Sequence, residues 1–195
     1  MQFFGARANL PKLLLYTLNA GRDEISNAQV GPHFPAPRII NGALDFESVM
    51  HTLDEAMEWL AGLYSKTMNV IHFMHDKYAY EKIEMALHDT RVRRLMAFGA
   101  AGLSVLVDSL SAIKHAKVCP VRDERGLTTN FMIDGDFPKF GNDDSRADNI
   151  AQWVVTTFHD KLSRKYSYRH SLPTLSILTS KTTTPCSFMQ WVLLM

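Results

Sequence analysis

A long amphipathic pattern between Asp45 and Asp76 limits the folds open to this chain. Its apolar side chains recur at steps of three and four residues, which is the period of one face of an α-helix. The pattern predicts a helix much longer than the average of about 11 residues. A stripe of this length needs a large partner surface. Its residues are Phe46, Val49, Met50, Leu53, Met57, Leu60, Tyr64, Ile71 and Met74.

Short apolar segments that alternate with helical patterns predict a parallel sheet. The segment Met96–Gly102 has the sequence MAFGAAG, and its glycines are typical of a buried strand whose backbone closely approaches another group. Strands are also predicted at Met1–Arg7 and Leu172–Thr179. Helical patterns follow Asn9, a predicted N-cap, and cover Val105–Ala116. Because strands and helices alternate, the predicted fold class is α/β.

Three local signals add further elements. Lys117–Val121 and Thr128–Ile133 flank a turn-forming segment and predict a β-hairpin. Ser145 and Asp148 have the spacing of a capping box, which predicts the start of another helix. A short helical segment is predicted at Tyr80–His88.

Composition restricts the partners that this chain is expected to have. Lys and Arg total 21 and Asp and Glu total 20, so the formal net charge is +1. This balance favours neither nucleic acid nor an anionic membrane as a partner. Cys119 and Cys186 are too few for a disulfide framework and indicate a reducing compartment. The expected location is therefore the cytoplasm, with an organelle as the alternative if a targeting segment precedes Met1.

Histidine and cysteine side chains are candidates for metal binding and for nucleophilic catalysis. His72 and His75 are three residues apart on the predicted long helix, and His88 follows. A metal site needs further ligands and a recognisable spacing, which are not found, so solvent-facing or hydrogen-bonded histidines and no metal are expected. Cys119 follows His115 by four residues, but Pro120 breaks any helix common to the two, so a structural thiol is favoured over a nucleophile.

Arg7 is the strongest candidate for binding a ligand. It follows two phenylalanines and the small residues Gly5 and Ala6, which allow a ligand to approach the backbone. A guanidinium in such a pocket suits a small carboxylate, which it can bind through two parallel hydrogen bonds. The alternative is an ordinary ion-paired arginine. A second basic cluster indicates a solvated helix start or an interface, and it comprises Arg91, Arg93 and Arg94.

Several long phrases resemble pyruvate formate-lyase, a glycyl-radical enzyme family. The resemblance covers residues 1–179, whereas residues 180–195 form a divergent C-terminal tail. The matching phrases are QFFGARANL (Gln2–Leu10), NVIHFMHDKYAYE (Asn69–Glu81), MALHD (Met85–Asp89), AGLSVLVDSLSAIKHAKV (Ala101–Val118), FPKFGNDD (Phe137–Asp144) and YRHSLPTLSILT (Tyr168–Thr179).

The resemblance implies a fold, a reaction and a binding site. The family's fold is a ten-stranded α/β barrel, of which this chain is expected to form an incomplete part. The family's enzymes are homodimers that convert pyruvate and coenzyme A to acetyl-CoA and formate, using a glycyl radical installed by an activase. By resemblance, Arg7 binds the pyruvate carboxylate and Phe4 lines the pocket.

The same resemblance implies that the catalytic residues are missing. The family's adjacent cysteine pair lies upstream of the phrase at Gln2–Leu10, and its radical glycine lies beyond Thr179. No catalytic residue is therefore expected in this chain, which is predicted to be inactive alone. The alternative is a non-catalytic interaction module that pairs with a full-length paralogue.

Overall fold

A computed structural model of the chain describes residues 2–86 and 91–178. The predicted tail at 180–195, Cys186 and His88 lie outside these residues. In chain order the elements are β1 (Gln2–Asn9), α1 (Leu10–Leu18), β2 (Ile39–Ile40), β3 (Ala43–Leu44), α2 (Phe46–Asp76), α3 (Tyr80–Glu84), β4 (Leu95–Ala101), α4 (Leu103–His115), β5 (Lys117–Arg122), β6 (Thr128–Asp134), α5 (Ser145–Ser163), a 3₁₀ turn (Tyr168–His170) and β7 (Leu172–Leu178).

The three longest apolar strand segments form one parallel sheet. β4 is central and pairs with β1 on one side and with β7 on the other. The connections between these strands contain the helices, as parallel pairing requires. The predicted α/β class is confirmed. β5 and β6 form a separate antiparallel ribbon, in which Cys119 pairs with Met132, and this ribbon is the predicted hairpin.

Side-chain caps mark the beginnings of α1, α2 and α5. The Asn9 side chain accepts a hydrogen bond from the Lys12 N–H at 3.1 Å, which caps α1 as predicted. Asp45 caps α2 in the same way, through the Ser48 N–H at 3.2 Å. The predicted capping box of α5 is wrong, because Asp144 is the N-cap and accepts a hydrogen bond from the N–H of Arg146.

The buried face of α2 differs from the predicted stripe in its second half. Val49, Leu53 and Met57 are fully buried as predicted. Beyond Tyr64, however, Met68 and His72 face inward, whereas Met74 is 44% exposed. The buried face of the helix continues through small and polar residues, so large apolar residues alone do not identify it. Among the described residues, no helix is both long enough and apolar enough to cross a membrane.

The two faces of β4 carry different side chains. Met96, Phe98 and Ala100 are buried in the core with residues of the helices. Successive side chains of a strand point to opposite faces, so Ala97, Gly99 and Ala101 lie on the other face. We call this other side of β4 the small-residue face.

Candidate functional site

Arg7 lies in a row of three residues that crosses the parallel sheet. It pairs with Gly99 of β4, and Gly99 pairs with Ser176 of β7. Residues in register on neighbouring strands share a face, so the three lie on the small-residue face. Arg7 and Ser176 are both exposed. The sheet therefore presents a guanidinium beside a floor of small residues.

Gly99 makes the position of Arg7 possible. A Cβ atom added at Gly99 would lie 2.6 Å from Cγ of Arg7 and 3.4 Å from its Cδ. The side chain of Arg7 therefore passes directly over the backbone of Gly99. The predicted strand at Met96–Gly102 corresponds to β4 (Leu95–Ala101), a parallel strand that is largely buried and has a close approach at Gly99.

Tyr64 of α2 reaches the backbone of both strands from the opposite side. Its hydroxyl donates a hydrogen bond to the carbonyl oxygen of Ala6 and accepts one from the N–H of Gly99 at 2.8 Å. Its ring packs edge-to-face against Phe98, with 4.9 Å between the centroids. Burial raises the pKa of the Tyr64 hydroxyl, an effect opposed by the Gly99 backbone and by the charge of Arg7.

Phe4 precedes this row on the same strand. Its backbone pairs with Ala97, two residues before Gly99 in β4. Between Phe4 and Arg7 the register shifts, so that two residues of β1 lie opposite one residue of β4. This arrangement is a β-bulge. The lining role of Phe4 stays a prediction.

The arrangement suits a small anionic ligand with a planar carboxylate. A guanidinium presents its N–H donors in a fixed fork that matches the two oxygens of a carboxylate. Ala97 and Gly99 have no bulky side chains, and both are buried. The carboxylate-binding role of Arg7 stays a prediction.

Only one histidine of the pair on α2 faces solvent. His72 is 2% exposed, and its ring centroid lies 5.8 Å from that of His75. Burial, with a smaller effect of His75, lowers the pKa of His72 to about 4. His72 is therefore neutral near pH 7. Within residues 2–86 and 91–178, no three His, Cys, Asp or Glu side chains are grouped to hold a metal ion.

The sequence patterns did not predict an ionic cluster that lies at the start of β4. Arg94 binds Glu81 through two hydrogen bonds of 2.6 Å each, and Arg169 binds the same carboxylate at 2.5 Å. Arg169 also pairs with Asp76, which accepts a hydrogen bond from the Tyr168 hydroxyl at 2.7 Å. Arg94 therefore does not belong to a solvated helix start. It precedes a strand and holds α3 against the strands.

A comparison with protein families identifies the chain's relatives. The family model described as pyruvate formate lyase-like matches residues 1–187. The PFL-like enzyme TdcE of Escherichia coli strain K12 is 55% identical over 179 residues, which are 92% of this chain and 23% of that protein. The chain thus spans about a quarter of the length of this relative.

Solved structures of glycyl radical enzymes share the fold. A hydroxyproline dehydratase from Clostridioides difficile superposes with a TM-score of 0.64 at 20% identity, covering 87% of this chain and 24% of that protein. A glycyl radical enzyme from Archaeoglobus fulgidus gives a TM-score of 0.62 at 19% identity, covering 86% and 24%. These similarities confirm the expectation that the chain forms an incomplete part of an α/β barrel.

Proposed function

The chain belongs to the pyruvate formate lyase-like family, and from that premise we propose that it forms part of a formate C-acetyltransferase. Such an enzyme converts pyruvate and coenzyme A to acetyl-CoA and formate. The chain covers only 23% of a 55% identical relative, so the reaction, its substrates, the activase and a homodimeric assembly are all parts of the proposal.

The position of Arg7 on the small-residue face is the observation that carries the proposal. Pyruvate has a carboxylate, a carbonyl and a methyl group, and it is small enough to lie beside Ala97 and Gly99. The Arg7 guanidinium would bind the carboxylate through two charge-assisted hydrogen bonds. This contact would orient the bond between the carboxylate and the carbonyl carbon. In this proposal Arg7 binds and orients pyruvate, and Phe4 lines the same pocket.

The described residues do not provide the radical chemistry of the proposed reaction. That chemistry would be supplied by a glycyl radical and by adjacent thiols. Cys119 lies on the antiparallel ribbon, which packs against α4 and β3, and its sequence neighbours are Val118 and Pro120. We therefore assign substrate binding, and no catalytic step, to this chain. With pyruvate, coenzyme A and the activase, the 195-residue chain alone is expected to release no formate.

A pyruvate titration of the 195-residue chain, followed by NMR or calorimetry, tests the role of Arg7. Arg7→Ala is expected to weaken pyruvate binding by about tenfold to hundredfold, because a charge-assisted pair contributes roughly 1.5–3 kcal/mol. Arg7→Lys keeps the charge but loses the planar fork, so an intermediate loss is expected. Equal binding by the parent chain and Arg7→Ala would contradict the proposal.

A matched control separates the guanidinium at this position from positive charge in general. Arg38 is another exposed arginine, paired with Asp45 at 3.0 Å, and it lies outside the sheet. Arg38→Ala is expected to bind pyruvate as the parent does. Acetone, which lacks the carboxylate, is expected not to compete.

The exposed apolar side chains of α2, of α3 and of the turn between them support a second candidate function. Val70, Phe73, Tyr78 and Ile83 are each more than half exposed, and exposed apolar groups of this kind are typical of interaction surfaces. The chain would then dock on a complete family member without contributing catalysis. Co-purification of the chain with such an enzyme, and its loss in a Val70→Glu variant, would support this candidate.

A further inference from the structure

We infer that Tyr64 is a positioning residue, whose hydroxyl holds the bulge of β1 so that Arg7 lies over Gly99. The ligand-binding consequence of this inference rests on the proposed function. The structural part rests on the register of the strands and on the hydrogen bonds of the hydroxyl. Tyr64 is not placed in contact with the substrate.

The bulge determines which face of the sheet receives Arg7. Phe4 pairs with Ala97, so regular pairing would put Arg7 opposite Ala100, whose side chain lies in the core. The bulge inserts one extra residue, and Arg7 instead pairs with Gly99 on the small-residue face. A one-residue change of register moves a side chain to the opposite face. Without the bulge, the guanidinium would point towards the apolar core.

A bulge interrupts the hydrogen bonds between two strands, and Tyr64 restores them. The N–H of Gly99 donates to the Tyr64 hydroxyl at 2.8 Å, and the hydroxyl donates in turn to the carbonyl oxygen of Ala6. The hydroxyl is thus inserted into what would otherwise be a direct N–H to carbonyl bond. Buried backbone groups left without such a partner would destabilise the bulge.

The surroundings of Tyr64 keep its ring and its proton in place. The side chain is buried, and its ring packs edge-to-face on Phe98. Burial also raises the pKa of the hydroxyl, so it stays protonated and able to donate at neutral pH. Phenylalanine at this position would keep the packing and remove only the inserted hydroxyl.

Hydrogen exchange of a ¹⁵N-glycine-labelled 195-residue chain tests the structural part. The Gly99 amide is assigned by its loss in Gly99→Ala, and the Gly62 amide inside α2 serves as the internal reference. In Tyr64→Phe, exchange at Gly99 relative to Gly62 is expected to rise about tenfold, since one hydrogen bond is lost. An unchanged ratio, or an unprotected Gly99 amide in the parent chain, would overturn the inference.

A packing control separates positioning from general destabilisation. Phe98→Leu loosens the same contact but retains the hydroxyl, so it lowers protection at Gly99 and Gly62 together and leaves their ratio unchanged. A rise in the ratio equal to that of Tyr64→Phe would show that Tyr64 acts only through packing and would overturn the inference.

Pyruvate binding tests the functional part and separates it from the proposed function. Tyr64→Phe is expected to weaken pyruvate binding about tenfold, while Phe98→Leu, at a temperature where it is folded, binds as the parent does. If Arg7→Ala abolishes binding and Tyr64→Phe does not weaken it, the positioning role is overturned. If Arg7→Ala has no effect, the proposed function fails, and the exchange ratio at Gly99 still decides whether Tyr64 holds the bulge.

Discussion

The side chains of β4 alternate between two faces along its seven residues, and the two faces differ in the size of their side chains. On one face Met96 and Phe98 are completely buried against the helices. On the other face Ala97 and Gly99 carry little or no side chain, and Arg7 crosses the strand where a side chain at Gly99 would collide with it. The first face fills the core with large side chains. The second has small residues, over which the side chain of the neighbouring strand passes.

This difference separates stability from ligand binding within one strand. Burial of apolar surface stabilises the fold in proportion to the area removed from water. A cleft for a small ligand needs the reverse, a surface without bulky groups. Substitutions on the core face should therefore mainly lower the free energy of unfolding, whereas substitutions on the small-residue face should mainly lower the affinity for pyruvate.

Phe98→Ala is expected to have the largest effect on stability. Removing a fully buried phenylalanine leaves a cavity, and such changes lower the free energy of unfolding by about 3–5 kcal/mol. Urea denaturation followed by circular dichroism measures the loss. Ser176→Ala, on the exposed part of the other face, serves as the control and is expected to change stability by less than about 0.5 kcal/mol. Similar losses for both variants would break the distinction between the faces.

Glu81→Gln tests the ionic cluster at the start of β4 and is expected to have an intermediate, pH-dependent effect. Near pH 7 it should lower the free energy of unfolding by about 2 kcal/mol, because two arginines lose a charged partner. Hydrogen bonding by Arg94 lowers the pKa of the Glu81 carboxyl below its ordinary value of 4.5. The ionised form therefore stabilises the fold above that pH, and this contribution is lost as the pH falls through the folded-state pKa.

The stability difference between the parent and Glu81→Gln should consequently stay level above pH 4.5 and shrink as the pH falls below that value, towards the lowered folded-state pKa. Other carboxylates titrate in both proteins, so their effects cancel in the difference. Thermal or urea unfolding at several pH values provides the measurement. A difference that stays constant over this range would show that the charge of Glu81 contributes little.

Gly99→Ala is expected to affect binding more than stability. The added methyl group would displace the Arg7 side chain, so pyruvate affinity should fall about tenfold, which corresponds to roughly 1.4 kcal/mol. Gly62→Ala is the matched control, because its Cβ would meet nothing within 4 Å. As a helical glycine, it should instead stabilise the chain by about 0.5–1 kcal/mol and leave pyruvate binding unchanged. Unchanged pyruvate binding in Gly99→Ala would contradict the proposed site.

Local patterns predicted most of the elements and proposed Arg7 as a ligand-binding residue. The strands β4 and β7, the helix α2 and the cap Asn9 all follow from signals that lie within a few residues of each other. The role of Arg7 was proposed from its small and aromatic neighbours, and it stays a prediction. Tyr64, by contrast, was predicted only as one apolar position of a helical stripe.

Tyr64 and the ionic cluster could not be predicted because their partners are distant in sequence. The Tyr64 hydroxyl contacts Ala6 and Gly99, and nothing near Tyr64 in the chain indicates either contact. A weaker signal was available, since a tyrosine in a buried stripe needs a partner for its hydroxyl. Arg169 and Glu81 are likewise joined only when the 3₁₀ turn before β7 and α3 come together.

The sequence by itself determined the helices, the strands of the parallel sheet and of the β5–β6 ribbon, and their α/β order, because hydrophobic periodicity and capping act over a few residues. Only the tertiary structure decided that Met68 and His72, and not Met74, face the core, since the surface against which α2 packs selects its buried face. The tertiary structure also decided the face that Arg7 occupies. A single extra residue in β1 determines that face. The extra residue is visible only in the pairing of β1 with β4, whose paired residues are some ninety positions apart in the chain.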